Sequence, residues 1–137
     1  MSGGPIRKIL VPLDGSSNSR RSLETAIHLA KEHEASLTAI HVVHTSQKTA
    51  RAARRSQEPA PDFLLQAKRL AEKNGIPYHH RIIEGDPGHG IVEYSNTRDI
   101  DLIVIGARGI GTFKKIFLGS VSNYVLHKSK VAVMLVR

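Results

Sequence analysis

Residues 6–43 decide the fold. They read Ile6-Arg-Lys-Ile-Leu-Val-Pro-Leu13, then Asp14-Gly-Ser-Ser-Asn-Ser-Arg-Arg-Ser-Leu-Glu-Thr-Ala-Ile-His-Leu-Ala-Lys-Glu-His-Glu-Ala35, then Ser36-Leu-Thr-Ala-Ile-His-Val-Val43. The first segment ends in an unbroken apolar run and meets Asp14-Gly15-Ser16-Ser17, the pattern of a buried strand stopping at a turn. Pro12 stands near its end, where one lost ladder donor is tolerated. The second segment repeats apolar residues at Leu23, Ala26, Ile27 and Ala30, three and four apart, which predicts a helix over about 17–34. The Ser and Asn residues at 16–19 supply N-caps. Residues 36–43 are a second strand. A strand, a helix and a strand joined by short turns form a crossover unit, and such a unit makes parallel neighbours.

The alternation continues to the last residue. A helix is predicted over 62–74, with Asn74-Gly75 as a left-handed stop. A strand follows over 77–84. Gly85-Asp86-Pro87-Gly88 starts a helix running to about residue 98, with Pro near its first position. Asp101-Leu-Ile-Val-Ile105 is a fourth strand, residues 119–128 a helix, and Val131–Val136 a fifth strand. Strand and helix alternating four times before a final strand predict a doubly wound parallel sheet covered by helices on both faces. The apolar strands lack strict alternation, as strands buried on both faces do. Two stretches break the rhythm. Residues 45–61 are polar, basic and Pro-punctuated, carrying Lys48, Arg51, Arg54 and Arg55, and residues 106–118 are Gly-rich and basic. We expect a flexible leader over 1–5 and a single domain over 6–137.

Composition narrows the chemistry. A chain of 137 residues is one domain long and buries roughly two-thirds of its unfolded surface without staples. There is no Cys, so disulfides, thiolate catalysis and Cys-based zinc sites are excluded. This suits a reducing cytoplasm, where we expect the chain to reside. No apolar run approaches the roughly 20 residues of a membrane span, and Met1–Pro5 lacks the form of a secretory signal. Twenty Lys and Arg against twelve Asp and Glu leave a net charge of +8, which favours anionic partners. Aromatics are only 4% of the chain, with no Trp; single-stranded nucleic acid needs aromatic stacking faces, which disfavours that partner. Of the eight His, His41 and His44 flank a strand end, His79 and His80 point to opposite faces, and His28 and His33 lie five apart. None has dependable metal-ligand spacing, so no intrinsic metal site is expected.

In a doubly wound sheet, ligands sit beyond the carboxyl ends of the strands. Two strand ends stand out: Pro12-Leu13-Asp14-Gly15, and Gly106-Ala-Arg108-Gly109 with Gly119-Ser120-Val121-Ser122 ten residues further on. Glycines permit close backbone approach, and Gly119-Ser120 opens a helix whose free N–H groups favour phosphate. Ser120 and Ser122 add hydroxyls; Arg108, Lys114 and Lys115 add charge. Together they make a phosphate cradle. A P-loop would need Gly-Lys-Ser/Thr, which is absent, and the dinucleotide triple-glycine fingerprint is missing after the first strand. Asp14-Gly15-Ser16 equally suits a plain turn.

Gly106-x-x-Gly109, nine residues, then Gly119-Ser120, together with Ile9-Leu-Val-Pro-Leu-Asp-Gly-Ser16, resembles the universal stress protein family over about residues 5–137. The resemblance implies a Rossmann-like five-stranded parallel sheet in the order 3-2-1-4-5 and a homodimer paired through Val131–Val136. It also implies ATP as ligand, with Mg²⁺ held mainly by the phosphates. Pro12 and Asp14 would then line the adenine and ribose end, Val43 would contact adenine through its backbone, Gly106, Arg108 and Gly109 would flank ribose and phosphates, and Gly119, Ser120, Val121 and Ser122 would hold the phosphates. One departure is Val131-Ala132-Val133, where the family usually has a Pro-Val step. The expected role is a nucleotide-dependent stress-response or signalling module. A weak ATPase or phosphotransferase, an AMP or cyclic-nucleotide sensor, and a nucleic-acid-binding basic protein are the alternatives. No water-positioning base is identified, so at most slow hydrolysis is expected.

Overall fold

The computed structural model describes residues 5–44, 60–107 and 119–137. The described elements are β1 (Lys8–Pro12), α1 (Ser17–His33), β2 (Ser36–Val43), α2 (Asp62–Lys73), β3 (Tyr78–Glu84), α3 (Pro87–Thr97), β4 (Leu102–Gly106), α4 (Ser120–Lys128) and β5 (Ala132–Val136). The strands form one parallel sheet in the order β3-β2-β1-β4-β5, the order the resemblance implies. The leader residues 1–4 and the basic stretch 45–59 lie outside the described residues.

Alternate residues of each inner strand feed opposite cores, which explains the unbroken apolar runs. Ile9, Val11, Leu102 and Val104 pack with Leu23, Ala26 and Ile27 of α1 and with Leu64, Ala67 and Ala71 of α2. Leu10, Ile40, Ile103 and Ile105 pack with Ile91 and Val92 of α3 and with Val125 of α4. Two helices therefore cover each face. Ile9, Leu10, Ile40 and Ile103 have no exposed surface, and each such side chain contributes about 1.5–3 kcal/mol by leaving water.

The helix ends follow local chemistry. Ser16 caps α1, its Oγ accepting the Ser19 N–H at 3.1 Å. Asp86 caps α3, its carboxylate accepting the His89 N–H at 3.0 Å. After α2, the Ile76 N–H reaches Ala71 O and the Gly75 N–H reaches Glu72 O, with Gly75 at φ +72°. This pair of hydrogen bonds is the left-handed stop expected at Asn74-Gly75. β1 starts at Lys8, two residues later than predicted, and β4 starts at Leu102 instead of Asp101. Asp101 sits at both starts. Its carboxylate accepts the N–H groups of Arg7 and Lys8 at 2.9 and 3.0 Å, so side-chain bonds take those two donors while the Asp101 N–H still reaches Lys8 O at 2.9 Å.

Candidate functional site

The chain builds β2 and β3 on one side of β1, then crosses to place β4 and β5 on the other. The order reverses between β1 and β4, and a crevice must open at their carboxyl ends. A cavity of about 310 Å³ lies there. Its walls include Pro12 and Asp14 after β1, Gly106 closing β4, and the whole first turn of α4 from Gly119 to Ser122. Seven of the ten site residues named from sequence thus meet at one cavity: Pro12, Asp14, Gly106, Gly119, Ser120, Val121 and Ser122. Arg108 and Gly109, like Lys114 and Lys115, lie outside the described residues. The cavity lining reaches Val42 but not Val43, whose carbonyl accepts the Gly85 N–H at 2.9 Å.

The β1–α1 turn is held by its own polar groups. Asp14 Oδ1 accepts the Ser16 N–H at 2.9 Å, and Gly15 sits at φ +84°, a conformation that favours glycine. The Ser19 hydroxyl donates to Ser16 O at 3.0 Å. Asp14 therefore serves the turn with one carboxylate oxygen while bordering the cavity.

The other wall is latched to the sheet. Ala107 O accepts the Gly119 N–H at 2.7 Å and the Ser122 hydroxyl at 2.8 Å. The two ends of the 107–119 excursion are thereby closed on each other. Ser122 is buried, and its hydroxyl also lies 3.1 Å from Gly119 O. The Ala107 N–H in turn donates to Val136 O at 2.7 Å, an acceptor shared with Asn18 Nδ2 at 3.2 Å. Gly106 is a glycine here for a reason the sequence did not disclose. A Cβ at that position would overlap the Asn18 side-chain amide, lying only 2.9 Å from its Cγ. The absent side chain admits α1 to β4.

No side chain caps α4, whose N-cap is Gly119. The first-turn N–H groups of Ser120, Val121 and Ser122 stand at the cavity wall, and such groups, with the helix dipole, attract anions. The site therefore offers apolar walls at the strand ends and a place for an anionic group at the helix. The titratable side chains on its described lining are Asp14 and His41, and the His41 Nδ1 is held 3.0 Å from Leu13 O. Neither is arranged as a base beside α4.

Sequence reasoning missed Ser19, His41 and Pro87, which also line the cavity. Pro87 had a visible signal, since it opens a helix directly after a strand end. His41 and Ser19 had none, because only the packing of β2 and α1 against β1 brings them there. Among the described residues, no group of three or more His, Asp or Glu gathers to hold a metal ion, and no helix is long and apolar enough to cross a membrane.

Comparison with known proteins agrees with this geometry. Residues 5–137 match the universal stress protein family. Universal stress protein MJ0531 of Methanocaldococcus jannaschii is 34% identical over 139 aligned residues, which cover 96% of this chain and 82% of that one. The structure of universal stress protein UspA from Lactobacillus plantarum superposes with a TM-score of 0.83 at 27% identity, covering 98% of this chain and all of the other. A universal stress protein solved in complex with cAMP superposes with a TM-score of 0.74, also at 27% identity, covering 98% of each chain. The chain belongs to the universal stress protein family.

Proposed function

We propose that this chain binds an adenine nucleotide, ATP with Mg²⁺ held mainly by its phosphates, and acts in the cytoplasm as a homodimeric stress-response or signalling module. One observation carries the reading: the cavity at the sheet's reversal point runs directly onto the uncapped first turn of α4. Its 310 Å³ is near the low end of the roughly 300–1,000 Å³ usual for ligand sites. That suits a base and ribose between Pro12, Asp14 and Val42, with the phosphates at Gly119–Ser122. Arg108 and Gly109 keep the role the resemblance implies, flanking the ribose and phosphates. The related structure in complex with cAMP supports the ligand class, and it favours a second reading in which a single phosphate suffices. The homodimer would form through β5, the sheet's outer strand, whose Met134 is exposed.

Thermal unfolding against ATP, ADP, AMP, cyclic AMP and GTP, each with and without Mg²⁺, tests the reading. A ligand at 100 times its Kd adds about 2.7 kcal/mol, a rise of several degrees for this size. A selective rise with ATP is expected; an equal or larger rise with cyclic AMP selects the second reading. Gly119→Val places a branched side chain at the cavity wall and should remove the shift. No rise with any nucleotide overturns both readings. Light scattering on the eluting protein tests the dimer, and a monomer at micromolar concentration removes that part.

A further inference from the structure

A second concavity, about 650 Å³, lies between α1 and α2. Its apolar floor includes Leu23, Phe63 and Leu70, and its rim carries Arg20, Arg69 and Lys73. No carboxylate lines it among the described residues. Arg20 is partly answered by Glu24, 3.8 Å away one turn along α1. No ion pair or hydrogen bond among the described residues engages the side chains of Arg69 and Lys73. Both are exposed on α2.

We propose that this groove is a docking surface for an acidic segment of a partner protein, one that sets an apolar side chain on the floor and carboxylates against Arg69 and Lys73. Charge decides the occupant. An apolar floor ringed by cations is complementary to a segment mixing apolar residues with Asp or Glu, and it repels a basic one. The chain's own residues 45–59, which precede α2 in sequence, bring Lys48, Arg51, Arg54 and Arg55 against the single acid Glu58, so their charge is wrong for this rim. Single-stranded nucleic acid fits less well. Bases need open aromatic faces, and the one aromatic on the floor, Phe63, packs against Gly15 and lies edge-to-face with His41 at 5.0 Å. Leu13 and Ser19 border both this groove and the first cavity, so a docked segment would touch the turn that shapes the candidate nucleotide site.

Fluorescence anisotropy of the full chain with a labelled peptide alternating glutamate and leucine provides the test, without any nucleotide. Saturable binding is expected, and Arg69→Glu with Lys73→Glu should weaken it about tenfold or more by placing like charges opposite the peptide. Lys31→Glu with Lys68→Glu makes the same change in net charge on exposed positions outside the groove and should weaken binding less than about threefold. Circular dichroism confirms that both variants fold. Equal weakening by the two pairs, or binding of a glutamine-for-glutamate peptide as strongly as the acidic one, overturns the proposal. So does absence of saturable binding, or binding of an oligothymidylate with no binding of the peptide. Because no arm contains nucleotide, failure here and failure of the nucleotide reading are separate results.

Discussion

Gly106→Ala should destabilise the chain, and Asn18→Ala should cancel most of the damage. The new Cβ would collide with the Asn18 amide, lying 2.9 Å from its Cγ, with the Asn18 backbone oxygen at 3.3 Å. Asn18 is buried, and its Nδ2 is tied to Val136 O at 3.2 Å, so the amide cannot swing aside without breaking that bond. Losing one such bond costs about 1 kcal/mol, and inserting a methyl into a packed site costs about 1–3 kcal/mol. A total of about 2–4 kcal/mol follows from those two ranges. Asn18→Ala alone costs about 1 kcal/mol, because Val136 O still accepts the Ala107 N–H. In the double variant the space vacated by the amide receives the methyl. The combined loss should then be about 1–1.5 kcal/mol instead of an additive sum of about 3–5, a coupling of about 2–3 kcal/mol. Urea unfolding of the unliganded protein reads this as a midpoint that falls by about 1 M for Gly106→Ala and largely recovers in the double variant, with m unchanged. Additivity within about 0.5 kcal/mol would refute the claim that Asn18 is what makes residue 106 a glycine.

Ser122→Ala should lower the melting temperature of the unliganded protein by about 3 °C through loss of the bond to Ala107 O. If Ser122 acts only as that latch, the ATP-induced rise persists; its loss would show that the hydroxyl also serves the ligand. Glu34 ends α1 at φ +54° with its N–H bonded to Ala30 O, so Glu34→Gly relieves a left-handed residue and should stabilise by about 1 kcal/mol, read as a raised urea midpoint. Burial pushes the Tyr78 phenol well above its usual pKa of 10.0, and its hydroxyl donates to Leu64 O at 3.1 Å. The folded state therefore holds this proton more tightly than the unfolded one. The resulting stability is full below pH 10 and is lost as pH rises above it. Tyr78→Phe should cost about 1 kcal/mol at neutral pH and flatten the alkaline decline in urea midpoint; an unchanged decline assigns it to other groups.

What one sequence discloses depends on which interactions set each feature. Element type came from periodicity, which is local. The apolar face at Leu23, Ala26, Ile27 and Ala30 and the stop at Asn74-Gly75 act within a few residues, and both stand where predicted. The glycine and serine positions around the cavity were legible for the same reason: a helix start after a strand end is a local signal. Which residue of β2 faces the cavity was not. That depends on register, with Pro12 opposite Ile40 and the Leu13 N–H bonded to Ile40 O. This leaves Ile40, His41 and Val42 at the wall and Val43 beyond it. Register is set by two strands distant in sequence, and a slip of one residue reverses every side chain. Gly106 is the sharper case. Its glycine was read as room for a ligand, yet the space its missing side chain leaves is taken by Asn18, a residue 88 positions earlier in the chain. One glycine can serve both ends, since its backbone also borders the cavity. A glycine in a phosphate-binding pattern can thus be held in place by packing alone, and only the unliganded stability of the 106 and 18 variants, set beside their nucleotide affinity, separates the two demands.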